Sequence, residues 1–413
     1  MGNIESLSGS VARPRWRTEG LAGITVAFAL IPEALAFAIL AGLPPLTGLY
    51  TAFLIGFTTT VFGTRRGMIS GATGAVTVML VPLSKAYGAE YVFAAVVIAG
   101  LLQGGAGLLK AGRLTRLLTP PIMMGFMNGL AIILFLSQLS QFGYRDVHGA
   151  VHWVPLQDRW LALLLVGTSI VITTRFARLT KVFPATLAAI ILLTVVTWSM
   201  HLPVQRVGDI ASIHGGPPTW HVPDGLFSWT VVRTVLPYSV ALAAVGLIES
   251  LLTLTMLDEL EGEHSSPARE VFVQGAGNFV AGFFGGMGGC AMTGQTRLNY
   301  NSGGRGRLSG YVASLMLLVF ILMGGSVVEA IPVAALTGIM VVIAVSTFQW
   351  QGLLHLRGMT MPDMFAVVIV TMISVAFENL ALGVICGVVY TVIINKIKPK
   401  DNVSQNNTSL RGD

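Results

Sequence analysis

Two stretches decide how this chain folds: Ile69-Ser-Gly-Ala-Thr-Gly-Ala-Val-Thr-Val78 and Met287-Gly-Gly-Cys-Ala-Met-Thr-Gly-Gln-Thr296. Each opens a hydrophobic segment with glycine and threonine instead of long aliphatic residues. That composition predicts an extended approach followed by a helix too short to cross a bilayer. Non-helical backbone at membrane depth persists only where protein or a water-filled cavity satisfies its polar groups. Paired interrupted segments, one in each half of a chain, point to the binding site of a transporter. Half-helices starting near Thr73 and Thr293 would aim free N–H groups and positive dipole ends at one point, which suits an anion. The competing reading, in which the glycines serve only close helix packing, explains one such segment better than two at matched positions.

The rest of the composition supplies the membrane. Of 413 residues 44 are charged, or 11%, and 54% are hydrophobic, where a soluble domain carries about 25% charge. Long apolar runs, rather than short alternating ones, exclude an outer-membrane barrel. The net charge of +6 would suggest nucleic acid in a soluble protein, but here it is expected on cytoplasmic loops, so no nucleic-acid partner is indicated. Cys290 and Cys386 read as buried, inert thiols. No metal-ligand spacing and no nucleophile–base pair is visible, so neither an enzyme nor a resident cofactor is expected. The first apolar run follows Arg13, Arg15 and Arg17 and reads as a retained span, not a cleaved signal peptide.

Hydrophobic runs give fourteen spans: 20–41, 45–63, 73–84, 89–110, 120–142, 159–175, 182–200, 235–257, 271–288, 293–302, 308–327, 332–348, 362–377 and 379–396. With the N-terminus in the cytoplasm, 19 Lys and Arg residues fall inside and 5 outside, Arg297 lying within a short span. That asymmetry is what the positive-inside rule asks of a correct topology. The expected organisation is a cytoplasmic segment 1–19, a seven-span repeat 20–200, an extracytoplasmic linker 201–234, a second repeat 235–398 and a cytoplasmic tail 399–413. The location expected is a bacterial inner membrane, with both termini cytoplasmic.

Four stretches then carry a resemblance: Pro32-Glu-Ala-Leu-Ala-Phe-Ala38, Ala41-Gly-Leu-Pro-Pro-Leu-Thr-Gly-Leu-Tyr50, Thr73-Gly-Ala-Val-Thr77 and Gly246-Leu-Ile-Glu-Ser-Leu-Leu-Thr253. Over residues 15–398 the chain resembles the sulfate permease (SulP) family, which includes bacterial relatives of anion exchangers and prestin. The resemblance implies an all-α membrane protein with 7+7 inverted repeats, as in uracil permease. It also implies a core domain (spans 1–4 and 8–11) moving against a gate domain (spans 5–7 and 12–14), with substrate between spans 3 and 10. Family members usually carry a cytoplasmic STAS domain that helps dimerisation. The sequence here stops soon after Lys400, so either this subfamily lacks the domain or the chain is truncated, and a homodimer stays an open expectation.

Intramembrane ionisable residues are costly and mark function. Glu33 precedes Thr73 by 40 residues and Glu249 precedes Thr293 by 44, so the two carboxylates hold nearly matching places. Many family members carry Gln at the position of Glu33, and a carboxylate there could carry a proton. Thr253 lies one turn beyond Glu249 on the same helix face. Together with the carbonyls near Ala291 they form an oxygen-only set suited to Na⁺. The pattern matches the Asp/Glu-x-x-x-Thr of the family's sodium–bicarbonate symporters. The expected anion site comprises Thr73, Gly74, Ala75, Met292, Thr293 and Gly294; the coupling site comprises Glu249, Thr253, Ala291 and Glu33. Arg297 either helps hold the anion or balances Glu249.

Other signals are set aside. Asp258-Glu-Leu-Glu-Gly-Glu263 reads as a solvated loop. Gly303-Gly-Arg-Gly-Arg307 faintly suggests a phosphate cradle but lacks a P-loop ending, and reads as a turn at the headgroups. The sequons at Asn402, Asn406 and Asn407 fall on the cytoplasmic side, and the histidines have no metal-ligand spacing. The leading expectation is Na⁺-coupled bicarbonate transport by elevator-type alternating access. H⁺-coupled or exchange transport of sulfate, chloride or a dicarboxylate ranks second, and an anion channel or voltage-responsive protein is the alternative class. Transport of neutral nucleobases on the same fold ranks last, since no acidic side chain stands near Thr293.

Overall fold

The computed structural model describes residues 16–109, 119–139, 143–145, 151–153, 160–179, 184–210, 216–350, 359–377 and 379–397. The expected N-terminal segment up to residue 15, the tail 399–413 with its sequons, and His148 lie outside the described residues. The helices are α1 (Trp16–Leu40), α2 (Pro45–Phe62), α3 (Gly74–Tyr87), α4 (Ala89–Leu108), α5 (Pro120–Leu139), α6 (Trp160–Leu179), α7 (Ala185–Ser199) and α8 (Val207–Ile210). They continue with α9 (Trp229–Glu261), α10 (Pro267–Phe283), α11 (Thr293–Asn301), α12 (Leu308–Met323), α13 (Gly325–Glu329), α14 (Val333–Thr347), α15 (Met361–Ala376) and α16 (Leu380–Ile397). Each hydrophobic run read from the sequence holds one helix, except 308–327, which holds α12 and the start of α13.

The fold is mostly helical, with four short strands of two or three residues among the helices. Strand β1 (Ser70–Gly71) pairs with β4 (Cys290–Ala291), and β2 (Gly143–Arg145) pairs with β3 (Val151–Trp153), both antiparallel. The 201–234 linker is also more ordered than its polarity suggests: it contains α8 and the first turn of α9. Its backbone ties into the segment before α14 through Val207 N–H to Ile331 C=O (2.9 Å) and Val333 N–H to Gln205 C=O (3.0 Å).

The helices pack in two groups. In one, α4 lies against α10 and α9, α2 against α10 and α12, and α1 against α12 and α2; in the other, α5 packs on α14 and α15, α6 on α14 and α7, and α15 on α16. Glycine decides the tightest seam. A Cβ at Gly100 would lie 2.3 Å from the Phe279 nitrogen, and one at Gly275 would lie 2.4 Å from the Gly104 nitrogen. Backbones of α4 and α10 therefore meet directly, as small residues at membrane interfaces allow.

Two readings of loops need correction. The acidic run 258–263 is not simply solvated: Asp258, Glu259, Leu260 and Glu261 continue α9, which ends at Gly262 in the left-handed region (φ 66°). Arg65, with its side chain 4% exposed, forms ion pairs with Asp258 (3.4 Å), Glu261 and Glu263. A guanidinium this deeply buried needs a charge partner, and three carboxylates gather round it. Likewise, the glycine-rich turn at 303–307 does cradle an anion, but an internal one. The buried Glu19 carboxylate accepts from the N–H groups of Arg305 (2.6 Å), Gly306 (2.6 Å) and Ser309 (3.1 Å) at the start of α12. Arg307 turns from the headgroups to donate to the Val61 and Gly63 carbonyls at the end of α2, where a cation complements the helix dipole.

Losing Arg65 strands its carboxylates. Breaking a buried ion pair costs about 3–5 kcal/mol, but these acids are 18%, 19% and 67% exposed, so solvent screening reduces the cost. Arg65→Met is expected to destabilise the protein by about 1–3 kcal/mol, measured by thermal unfolding in detergent. An unchanged midpoint would contradict the clamp.

Candidate functional site

The site is built where β1 crosses β4. Ser70 stands opposite Ala291 and Gly71 opposite Cys290. Antiparallel strands pass in opposite directions, so α3 and α11 depart oppositely while both N-termini stay at the crossing. The residues preceding them are extended, Thr73 at φ −127°, ψ 151° and Met292 at φ −106°, ψ 110°, and neither side chain caps its helix. First-turn N–H groups of both helices therefore lack intrahelical partners.

Several backbone groups at the crossing are paired, as buried backbone requires. The Met292 N–H donates to the Ile69 carbonyl (2.8 Å), and the Ile69 N–H donates to the Thr296 hydroxyl (3.0 Å). Asn278 grips Gly289 from both sides, accepting from its N–H (2.8 Å) and donating to its carbonyl (2.9 Å). The Ala291 N–H donates to the Ser250 hydroxyl (3.1 Å).

A cavity of about 630 Å³ opens at this crossing, with α1, α3, α9 and α11 on one side and α5 and α14 on the other. Thr73, Gly74, Met292, Thr293 and Gly294 all line it, and so do Glu33, Glu249 and Arg297. The other expected residues stand behind: Ala75, Ala291 and Thr253 are fully buried and do not line the cavity.

The coupling residues divide into two clusters. The Thr253 hydroxyl lies 2.8 Å from the Thr293 hydroxyl, 2.9 Å from the Glu249 carbonyl and 3.4 Å from the Ala291 carbonyl. The Glu249 carboxylate turns instead to Cys290, whose thiol donates to it at 2.9 Å and lies 3.1 Å from the Thr73 hydroxyl. Glu33 accepts from the Gln295 amide at 2.7 Å. The reading that pairs Arg297 with Glu249 is corrected: among the described residues no ion pair joins them. Arg297 sits one turn along α11, exposed, with Nε 3.1 Å from the Met256 sulfur.

Cys290 and Gln295 were invisible as site residues in the sequence. Cys290 is buried as expected, and its thiol joins the site because strand register brings it against Thr73 while α9 brings Glu249. Gln295, two residues after Thr293, offered one signal: Gln at the third helical position is where a capping-box acceptor sits. The assembled geometry combines two positive helix ends, a nearby arginine, two carboxylates and an oxygen cluster.

Comparison with known proteins agrees with this architecture. The Sulfate permease family matches residues 19–371. The "Putative sulfate transporter YbaR" of Bacillus subtilis is 40% identical over 387 residues, 92% of this chain and 78% of that protein. The bicarbonate transporter BicA of Picosynechococcus sp. is 31% identical over 393 residues, 90% of this chain and 69% of that protein. The solved transmembrane domain of a cyanobacterium BicA superposes with a TM-score of 0.76 at 30% identity, covering 88% of this chain and 96% of that one. SLC26A9 shares the fold at TM-score 0.79 and 18% identity, over 92% of this chain and 65% of that one. The chain is a multi-pass membrane protein that belongs to the sulfate permease family.

Proposed function

We propose that the protein is a secondary active transporter of a small inorganic anion, bicarbonate first, coupled to Na⁺. The observation that carries this reading is the convergence of two uncapped helix N-termini on one cavity. Thr73, Gly74, Met292, Thr293 and Gly294 would hold the anion, chiefly through backbone N–H groups, with Ala75 behind them as the second residue of α3. Glu249, Thr253 and the Ala291 carbonyl would hold Na⁺, a hard cation that prefers oxygen. Bound Na⁺ would offset the charge of the incoming anion, which makes the two ligands bind cooperatively.

The movement proposed is elevator-like. The two helix groups correspond to a core domain (α1–α4 and α9–α12) and a gate domain (α5–α7 and α14–α16), within 7+7 inverted repeats spanning 20–200 and 235–398. The antiparallel β1–β4 crossing supports that symmetry. The cavity is lined by α5 from its N-terminal Pro120 as far as Leu134 and by the C-terminal end of α14. The loops at those ends are the ones assigned to the cytoplasm by positive charge, so this conformation is read as inward-open. A bacterial inner membrane with cytoplasmic termini and a homodimeric assembly complete the proposal.

A second reading, H⁺-coupled or exchange transport of sulfate, chloride or a dicarboxylate, is favoured by one observation: Glu33 also lines the cavity. Uptake of labelled bicarbonate, sulfate, chloride and fumarate into proteoliposomes, under an imposed Na⁺ or H⁺ gradient, separates the readings. Na⁺-stimulated bicarbonate accumulation is expected. Accumulation of sulfate driven by H⁺ alone would replace the first reading with the second, and gradient-independent conduction would favour a channel.

A further inference from the structure

Gln295 is the third residue of α11 and lines the cavity beside Thr293 and Gly294, yet the residue is only 6% exposed. At this helical position a glutamine ordinarily reaches back to the N–H of the capping residue. Here that N–H is already used, because Met292 donates to the Ile69 carbonyl. The side chain turns to α1 and gives its Nε2 to Glu33 Oε1 at 2.7 Å. Its other end, Oε1, is buried and meets no partner among the described residues.

The orientation of this amide follows from donor–acceptor chemistry. With Glu33 ionised its oxygens only accept, so the amide points its NH₂ at Glu33 and its oxygen away. The anion site therefore combines backbone donors with one orphaned acceptor, and a buried acceptor left unpaired costs about 1–3 kcal/mol. An oxyanion that carries a proton can satisfy both: its oxygens take the helix N–H groups, and its O–H donates to Gln295. An oxyanion without a proton leaves the acceptor unpaired, or forces the amide to turn over and face Glu33 with its oxygen.

Resting on the anion-transport reading above, we propose that Gln295 is a specificity-determining residue, held by Glu33, that selects oxyanions bearing an O–H group over oxyanions of equal charge that lack one. Bicarbonate and nitrate make the test. Both are planar trigonal monoanions, so the charges around the cavity, namely Glu33, Glu249 and Arg297, act on them alike. Only bicarbonate has a hydrogen-bond donor to offer Gln295.

The experiment uses the full chain in proteoliposomes and measures how unlabelled bicarbonate and nitrate each inhibit uptake of labelled bicarbonate at saturating Na⁺. Bicarbonate is expected to compete about tenfold better than nitrate, the value of one hydrogen bond of about 1.4 kcal/mol. Gln295→Met, close in volume and without an amide, is expected to narrow the ratio to within about twofold. Its Na⁺ dependence should stay unchanged, because the oxygen cluster is untouched. Glu33→Gln should also narrow the ratio, since an amide at 33 fits either orientation of its neighbour. Equal competition by nitrate and bicarbonate in the unsubstituted protein overturns the proposal without any variant needing to fold, and so does a tenfold preference that survives Gln295→Met. Those results would leave anion transport standing, whereas failure of every anion to be taken up would overturn the transport reading itself.

Discussion

Glu249→Gln is expected to weaken the Na⁺ dependence of anion uptake by about 10- to 100-fold while leaving the protein folded. The magnitude follows from the charge removed: interactions with an ionised group contribute about 1.5–3 kcal/mol, which corresponds to that range. The fold is expected to tolerate the change because the partner of Glu249, the Cys290 thiol at 2.9 Å, donates to an oxygen that glutamine also has. A glutamine side chain keeps an oxygen of the same reach. The neighbouring oxygens of Thr253, Thr293 and the Ala291 carbonyl, clustered within 2.8 to 3.4 Å of the Thr253 hydroxyl, are all neutral. Without the carboxylate they offer Na⁺ dipoles but no charge. Glu249→Asp, which keeps the charge on a shorter stem, should retain part of the dependence. Uptake titrated against Na⁺ on both variants checks this, alongside thermal unfolding. Na⁺ dependence that is unchanged in Glu249→Gln would place the coupling ion elsewhere, and Glu33 would then be the residue to test.

What the sequence disclosed about this site reflects which forces act locally. The glycine and threonine runs before α3 and α11 disclosed the broken helices, because backbone permissiveness is a property of the residues themselves. Charge scarcity disclosed the membrane, and the spacing of Glu33 and Glu249 placed both carboxylates at the cavity. Strand pairing was another matter. The contact between Thr73 and Cys290 depends on a register between residues 217 positions apart, and no periodicity encodes that. The same holds for Arg65, whose acid partners follow nearly two hundred residues later, and for Glu19, which fills the glycine-rich turn at 303–307. Both charged groups looked superficial in sequence because their neutralising partners come from the other half of the chain. The relation of Glu249 to Thr253 was half legible: helical spacing placed them on one face, but it could not say that the carboxylate would turn to a thiol.

Gly289→Ala is expected to cost the protein its site, and it tests the crossing directly. A Cβ built at Gly289 would lie 2.0 Å from the Gly71 carbonyl oxygen and 2.7 Å from its carbon. These are backbone atoms, so no side chain can rotate away. Gly289 is also fixed from its other face, because Asn278 holds both its N–H and its carbonyl at 2.8 and 2.9 Å. Relief requires the two strands to separate by an ångström or more. Overpacking a close-packed interior costs about 1–3 kcal/mol when side chains can yield, and the absence of that escape puts the expected cost at the upper end or above. The functional loss should exceed the loss in stability. Moving β4 away from β1 displaces the start of α11 relative to that of α3, so the two sets of free N–H groups no longer converge, and a misplacement of about 1 Å can cost about 100-fold in a positioned site. Gly294→Ala supplies the contrast: a Cβ there meets nothing within 4 Å, so that substitution should leave stability intact and change only the fit of the anion. Thermal unfolding and labelled-anion uptake on the two variants decide the matter. If Gly289→Ala transports as well as the unsubstituted protein, the two half-helices do not need their strands in register, and the convergence of their N-termini cannot be what holds the anion.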